Sequence, residues 1–177
     1  NDKLATCSID GDYIILGAAG ENSHAGAAYI FKRSGTSWSQ QQKITASNAG
    51  TNDYFGGACA IDGDYAIVGA YGEDTGSSNA GAAYIFKRSG TTWTQQVQLQ
   101  GSSFDNDYNF GYSVSIFGDY AIVGANNDNS GGSDAGVAFI FKRSGTSWTE
   151  QAKLLASDAQ AGDNFGYKSV SISGNRV

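Results

Sequence analysis

The sequence predicts an all-β chain whose four-stranded antiparallel sheets stack radially as the blades of a β-propeller, on three observations. The run Ala-Tyr-Ile-Phe-Lys-Arg-Ser-Gly at 28–35 returns at 83–90 and, with Phe139 for Tyr, at 138–145, a period of 55 residues. Trp38, Trp93 and Trp148 keep that spacing, as do the pairs Phe55-Gly56, Phe110-Gly111 and Phe165-Gly166. Inside each unit, short β-prone runs alternate with glycine turns. Self-similarity at this period marks stacked supersecondary units that bury their faces against one another.

The second unit gives the elements in order. Residues 57–61 form a first strand, and Asp62-Gly63 is a hairpin signal because a type I′ turn needs positive φ at its central residues. Residues 64–70 return as a second strand. After a loop rich in Gly, Ser and Asn, 82–88 make a third strand with Tyr84 and Phe86 on one face and Ile85 on the other. Ser89-Gly90 turns the chain into a fourth, where Trp93, Gln95, Val97 and Leu99 alternate with polar residues at the period of a half-buried strand. Asp10-Gly11 repeats the first turn, and Phe117-Gly118 and Ser173-Gly174 keep its glycine. The expected units are blade 1 at about 4–48, blade 2 at about 55–101, blade 3 at about 110–157 and the start of a fourth at about 165–177. A sandwich would seldom repeat its sequence so faithfully, and solenoid coils are shorter.

Composition narrows the partners. The 177 residues are 40% hydrophobic and 12% aromatic, enough for a core, and their net charge is −6 with no basic run longer than a Lys-Arg pair. Nucleic acid and anionic membranes are therefore excluded as expected partners, and no apolar stretch is long enough to insert in a bilayer. With 25 Gly, no Pro and no Met, the composition reads as extracellular or cell-surface material. Asn1 and the end at Val177 inside a unit read as boundaries of processing or truncation. Three blades do not close a ring, so either the remainder of a longer chain or self-association is expected to complete it.

Phe110-Gly111 opens a first strand and Gly124-Ala125 closes a second; Phe55-Gly56 and Gly69-Ala70 do the same one unit earlier. These pairs, with Gly-Asp-Tyr-Ala-Ile-Val-Gly-Ala and Ala-Tyr-Ile-Phe-Lys-Arg, resemble the bacterial-style variant of the FG-GAP repeat, the blade of the integrin-α-type propeller. The resemblance covers nearly the whole chain. It implies a seven-bladed ring and a role in adhesion. The family's calcium loop is not carried over, because Asp62-Gly63-Asp64 and Phe117-Gly118-Asp119 offer too few oxygens to replace a hydration shell of six to eight. Ala19, Tyr71 and Asn126 stand where the family has Pro.

In an up-down meander the tight turns share one end, and the loops at 20–26, 72–81 and 126–136 share the other with the links at 47–53, 102–109 and 157–164. Differing loops on a rigid scaffold are where binding resides. They carry Glu21, Asp53 and Asp158 besides the candidate ligand residues Glu73, Asp74, Asp105, Asn106, Asp107, Tyr108, Asp128, Asp134 and Asp163. Carboxylates, amides and a phenol can bond sugar hydroxyls, although Asp and Asn also cap turns. Asp105 and Asp107 are the candidates for a metal, with calcium the ion their oxygens suit; no other cofactor is expected. Arg88 or Lys87 should meet Asp64 across strands two and three, as Lys32-Arg33 and Lys142-Arg143 should in their own blades. Cys7 and Cys59 stand where later units have Val114 and Val170 and should be buried free thiols, a disulfide between them depending on their Cα separation.

His24 is the single histidine, and no nucleophile elbow, phosphate loop or zinc spacing accompanies it. The expectation is a non-enzymatic binding or adhesion module for a protein or glycan. A structural assembly protein of a filament, sheath or complex is the first alternative, and a glycan or phosphoester hydrolase using the acidic loops is the second.

Overall fold

A computed structural model describes residues 6–102 and 107–174. Among these, twelve strands form three four-stranded antiparallel sheets, each in simple meander order. The first holds β1 (Cys7–Asp10), β2 (Tyr13–Ala18), β3 (Ala27–Ser34) and β4 (Ser37–Ile44). The second holds β5 (Ala58–Asp62), β6 (Tyr65–Ala70), β7 (Ala82–Ser89) and β8 (Thr92–Leu99), and the third β9 (Phe110–Phe117), β10 (Tyr120–Ala125), β11 (Val137–Ser144) and β12 (Ser147–Leu154). First strands of neighbouring sheets lie close together while fourth strands diverge, which is the wedge geometry of propeller blades. The fourth unit keeps the parallel bridge from Gly136 to Phe165 and a bond from the Ile172 amide to Ser115 Oγ, at 3.2 Å, but forms no strand up to Gly174.

The period-2 pattern of β6 and β7 sorts side chains between two interfaces. Tyr65, Ile67 and Ile85 pack on Val123, Phe139 and Trp148 of the third sheet. Ala66, Val68, Tyr84 and Phe86 pack on Ile15, Ile30 and Ile44 of the first. The fourth strand departs from simple alternation. In β8 the register passes from Ile85–Val97 to Phe86–Gln95, so Gln96 bulges. One extra residue inverts the phase: Trp93 faces the first sheet and Leu99 the third, not the shared face that alternation predicts. The same bulge recurs in β4 and β12.

The Phe-Gly and Gly-Ala pairs have one physical cause. Gly69 lies so near the next sheet that a Cβ there would stand 1.9 Å from the Gly111 carbonyl oxygen, and Gly17 meets Gly56 at 2.0 Å in the same way. Gly111 itself has φ of +89°. Two glycines, one from each motif, thus let adjacent blades touch backbone to backbone.

The tight turns differ from the expected type. Asp62 pairs with Tyr65, leaving Gly63 and Asp64 central, and only Gly63 has positive φ. That is the pattern of a II′ turn with Gly first, equally suited to strand twist. Asp10 and Asp62 then point onward: Asp10 Oδ2 accepts from the Gly63 amide at 2.8 Å and Asp62 Oδ2 from the Gly118 amide at 2.9 Å.

Each expected Arg–Asp pair forms: Arg33–Asp12 at 2.7 Å, Arg88–Asp64 and Arg143–Asp119. Arg88 also lies 4.3 Å above the Tyr13 ring of the preceding blade and donates to its hydroxyl at 2.9 Å; Arg143 does the same on Tyr65. Trp93 and Trp148 meet those tyrosines edge-on and donate to the bulged Gln41 and Gln96. This latch is inter-blade. The described residues include no sheet packed on the outer flank of the first, and Trp38 there is 38% exposed against 2% for Trp93.

Cys7 corrects an expectation for the same reason. Its side chain faces the uncovered flank of the first sheet and is exposed, whereas Cys59 is buried against Thr6 and Ile15. Both thiols are free. Burial pushes the Cys59 thiol up to about 11.

Candidate functional site

Among the described residues the long loops and links share one end, and hydrogen bonds sew each loop to the link that follows. Asn52, Tyr54 and Phe55 donate to Ser23, His24 and Ala25, and the pattern returns as Asp107, Asn109 and Phe110 on Ser78, Asn79 and Ala80. It returns again as Gly162, Asn164 and Phe165 on Ser133, Asp134 and Ala135. The one-turn segment Glu21–His24 is part of this seam: Asn22, Ser23 and His24 all have positive φ, so it is a left-handed turn and not an α-helix.

Four residues after Gly17, Gly69 and Gly124 each blade carries an acid, namely Glu21, Glu73 and Asp128. The fourth strand answers with Lys43 in the first blade and Lys153 in the third. Glu21 bonds Lys43 and the Tyr29 hydroxyl, and these hydrogen bonds, Lys43 first, hold its carboxyl below the usual range. Asp128 is 0% exposed; Lys153 Nζ lies 2.6 Å from it, Tyr108 donates to it and the Ser130 amide caps it at 2.7 Å. Tyr108 and Asp128 are therefore interior partners, not surface ligands.

The second blade has Gln98 in the lysine's place. Glu73, 3% exposed, is met instead by Asn48 Nδ2 at 2.7 Å and by the amide of Thr75 at 3.0 Å, with the Thr75 hydroxyl also donating. Tyr84 donates to Asn48 Oδ1 at 2.9 Å. A neutral amide from the preceding link thus fills the cation's position. Burial first, then the charges of Glu73 and Asp74, raises the Asp53 carboxyl, although the Gly50 amide donates to it at 2.6 Å. Asn48, Gly50, Thr51, Asp53, Glu73, Asp74 and Thr75 line an open cavity of about 380 Å³.

The other candidates spread around this end. Asp74 Oδ1 accepts from the Asn79 amide at 2.8 Å and Asp107 Oδ1 from its side chain at 2.7 Å, so Asn79 brings those two acids to one residue. Exposed Asp134 donates its amide to Asn129 Oδ1 at 2.8 Å, and exposed Asp163 caps the Gln160 amide at 2.8 Å. Asp105 and Asn106 lie outside the described residues. Among the described residues no group of three or more His, Cys, Asp or Glu side chains comes together to hold a metal ion.

The FG-GAP repeat family model matches residues 38–86, 93–141 and 148–177. The chain belongs to the FG-GAP repeat family. The first match starts at Trp38 and runs from β4 through β7, so the family's sequence unit spans two sheets, from the fourth strand of one to the third of the next. No curated protein matches the chain.

Sequence reasoning missed Lys43 and Lys153 as members of this end and Asn48 as the partner of Glu73, because strand four supplies the lysines from far along the chain. The signal was present. Lys43 and Lys153 are two periods apart with Gln98 between them, and each pairs in register with an aromatic residue of the third strand, Tyr29 or Phe139.

Proposed function

We propose that this chain is a non-enzymatic binding or adhesion module, extracellular or at a cell surface, that presents its long-loop end to a protein or glycan. The carrying observation is the segregation of identical and differing parts. Tight turns, Arg–Asp pairs and glycine contacts repeat almost unchanged at one end and in the core, while loop length and chemistry vary at the other. Family membership supports the reading by resemblance of fold alone. Glu73 and Asp128, the two most buried long-loop acids among the described residues, are already bonded to neighbouring donors in the interior. Screening the folded chain on oligosaccharide arrays and against extracellular protein fractions tests the proposal; blank screens on both would sink it.

A seven-bladed ring is the architecture the family resemblance implies, and the open flanks favour completion by further blades or further copies. Ile14, Leu16, Tyr29 and Phe31 are half-exposed where their counterparts in the second blade are buried, and Leu154 is 40% exposed where Leu99 is covered. Native mass spectrometry separates a particle of 18.4 kDa from its multiples. Multiples would favour an assembly role.

A further inference from the structure

A row of aromatic rings crosses the long-loop end beside the first strands. Tyr54 stacks on Tyr71 at 4.8 Å between centroids and 6° between planes, Tyr71 meets Tyr112 at 4.9 Å, and Tyr112 stacks on Tyr167 at 4.9 Å and 25°. His24 adds a ring at 5.1 Å from Tyr54. Tyr54, Tyr71 and Tyr112 are half-buried, and Tyr167 is 41% exposed.

The repeat shows that folding does not demand these rings. Tyr54 has φ of 57°, and its counterparts Asn109 and Asn164 have 56° and 53°; His24 has 64°, and its counterparts Asn79 and Asp134 have 49° and 56°. Asn and Asp tolerate this left-handed conformation, whereas a bulky aromatic residue is strained there. At both of these left-handed positions an aromatic ring replaces Asn or Asp, and the two rings touch. Tyr71 replaces Asn126 in turn, and Gly57 replaces Tyr112 and Tyr167, leaving room that a Cβ would remove by standing 2.9 Å from the Tyr71 ring. Four coordinated departures from the repeat, with Tyr54 strained among them, build one continuous row. Strain kept at such a place points to function.

We infer that this tyrosine row is a platform for a neutral oligosaccharide, a proposal that rests on the long-loop end being the binding face. The row presents apolar ring edges interspersed with phenolic oxygens, complementary to the C–H face and hydroxyl rim of a sugar ring. Asp53, Glu73 and Asp74 flank the Tyr54–Tyr71 end and repel anionic ligands. Glu73 already has its donors, so that end makes no strong demand for a cation. Burial, and then the bond to Tyr167, pushes the Tyr112 hydroxyl up to about 12, leaving it neutral at physiological pH. A row of half-buried rungs is narrow for a protein partner, which needs roughly 800 Å² per side.

Calorimetric titration of the whole chain with neutral hexasaccharides of β-1,4-glucose, α-1,4-glucose, β-1,4-mannose and β-1,4-N-acetylglucosamine tests the inference. At least one should bind, with affinity falling about tenfold or more in Tyr71→Ala and in Tyr167→Ala. Tyr167→Ala alters an exposed ring, so it reports even where Tyr71→Ala disturbs folding. If none of the four binds, or if binding ignores both tyrosines, the platform is overturned. A sugar that ignores both tyrosines but is lost with Asp74→Ala overturns the platform alone and leaves the binding face standing. A protein that binds where all four sugars fail overturns the ligand class.

Discussion

Lys43 and Lys153 hold the same repeat position but neutralise acids in unlike surroundings. The Asp128 side chain is 0% exposed and that of Glu21 is 32% exposed. Replacing Lys153 by Met should leave a buried carboxylate without its cation and cost about 3–5 kcal/mol in denaturant unfolding. Lys43→Met should leave the midpoint nearly unmoved. Equal losses would refute the distinction. Asp53 gives a prediction of opposite sign. Its folded carboxyl is raised above the unfolded one, so the protonated form is favoured in the fold and that stability is lost as pH rises through the raised value. Asp53→Asn should therefore raise Tm by a few degrees at pH 7 and make no difference once the pH is below the ordinary carboxylate range. A gain that persists unchanged in acid would contradict the assignment to charge burial.

At the scale of the strand and turn, the repeat motif is a record of close approach. Gly69 and Gly111 meet because neither has a side chain, so Gly69→Ala should cost at least about 3 kcal/mol or abolish folding, by overpacking backbone against backbone. Gly35, with nothing within 4 Å of its would-be Cβ and φ of +62°, should lose only the smaller cost of a strained conformation when changed to Ala. Similar losses at both sites in thermal melts would remove the close-approach account. The sheets themselves were legible because alternation, glycine turns and a fixed period all agree in residues 57–99. The bulge at Gln96 was not, since a single extra residue leaves composition unchanged and shows only in which neighbour Trp93 and Leu99 touch. Turn type escaped for a related reason: Asp62-Gly63 reads as a central pair until the Asp62–Tyr65 register moves the turn on by one residue.

Over the whole molecule, each blade boundary is a copy of the same device, with Tyr13, Arg88 and Trp93 at one and Tyr65, Arg143 and Trp148 at the next. Such a one-dimensional scaffold can tolerate change in its loops, because stability is carried by neighbour contacts in the sheets. The sequence alone sorted loops from turns correctly, yet it could not tell a surface acid from a buried one. Asp128 and Asp134 look alike in the chain, and only the arrival of Lys153 and Tyr108 from elsewhere separates them. The tyrosine row was hidden likewise, being assembled from four places in the chain.

Oriented capture tests the assignment of binding to the long-loop end most directly. In a Cys7→Ser background, the chain is tethered through Thr91→Cys at an exposed tight turn or through Ser78→Cys on an exposed long loop, and each surface is probed with the same oligosaccharides and protein fractions. Binding should occur when Thr91→Cys is the anchor and be lost or strongly reduced when Ser78→Cys is. Equal capture in both orientations, or capture only through Ser78→Cys, would contradict it.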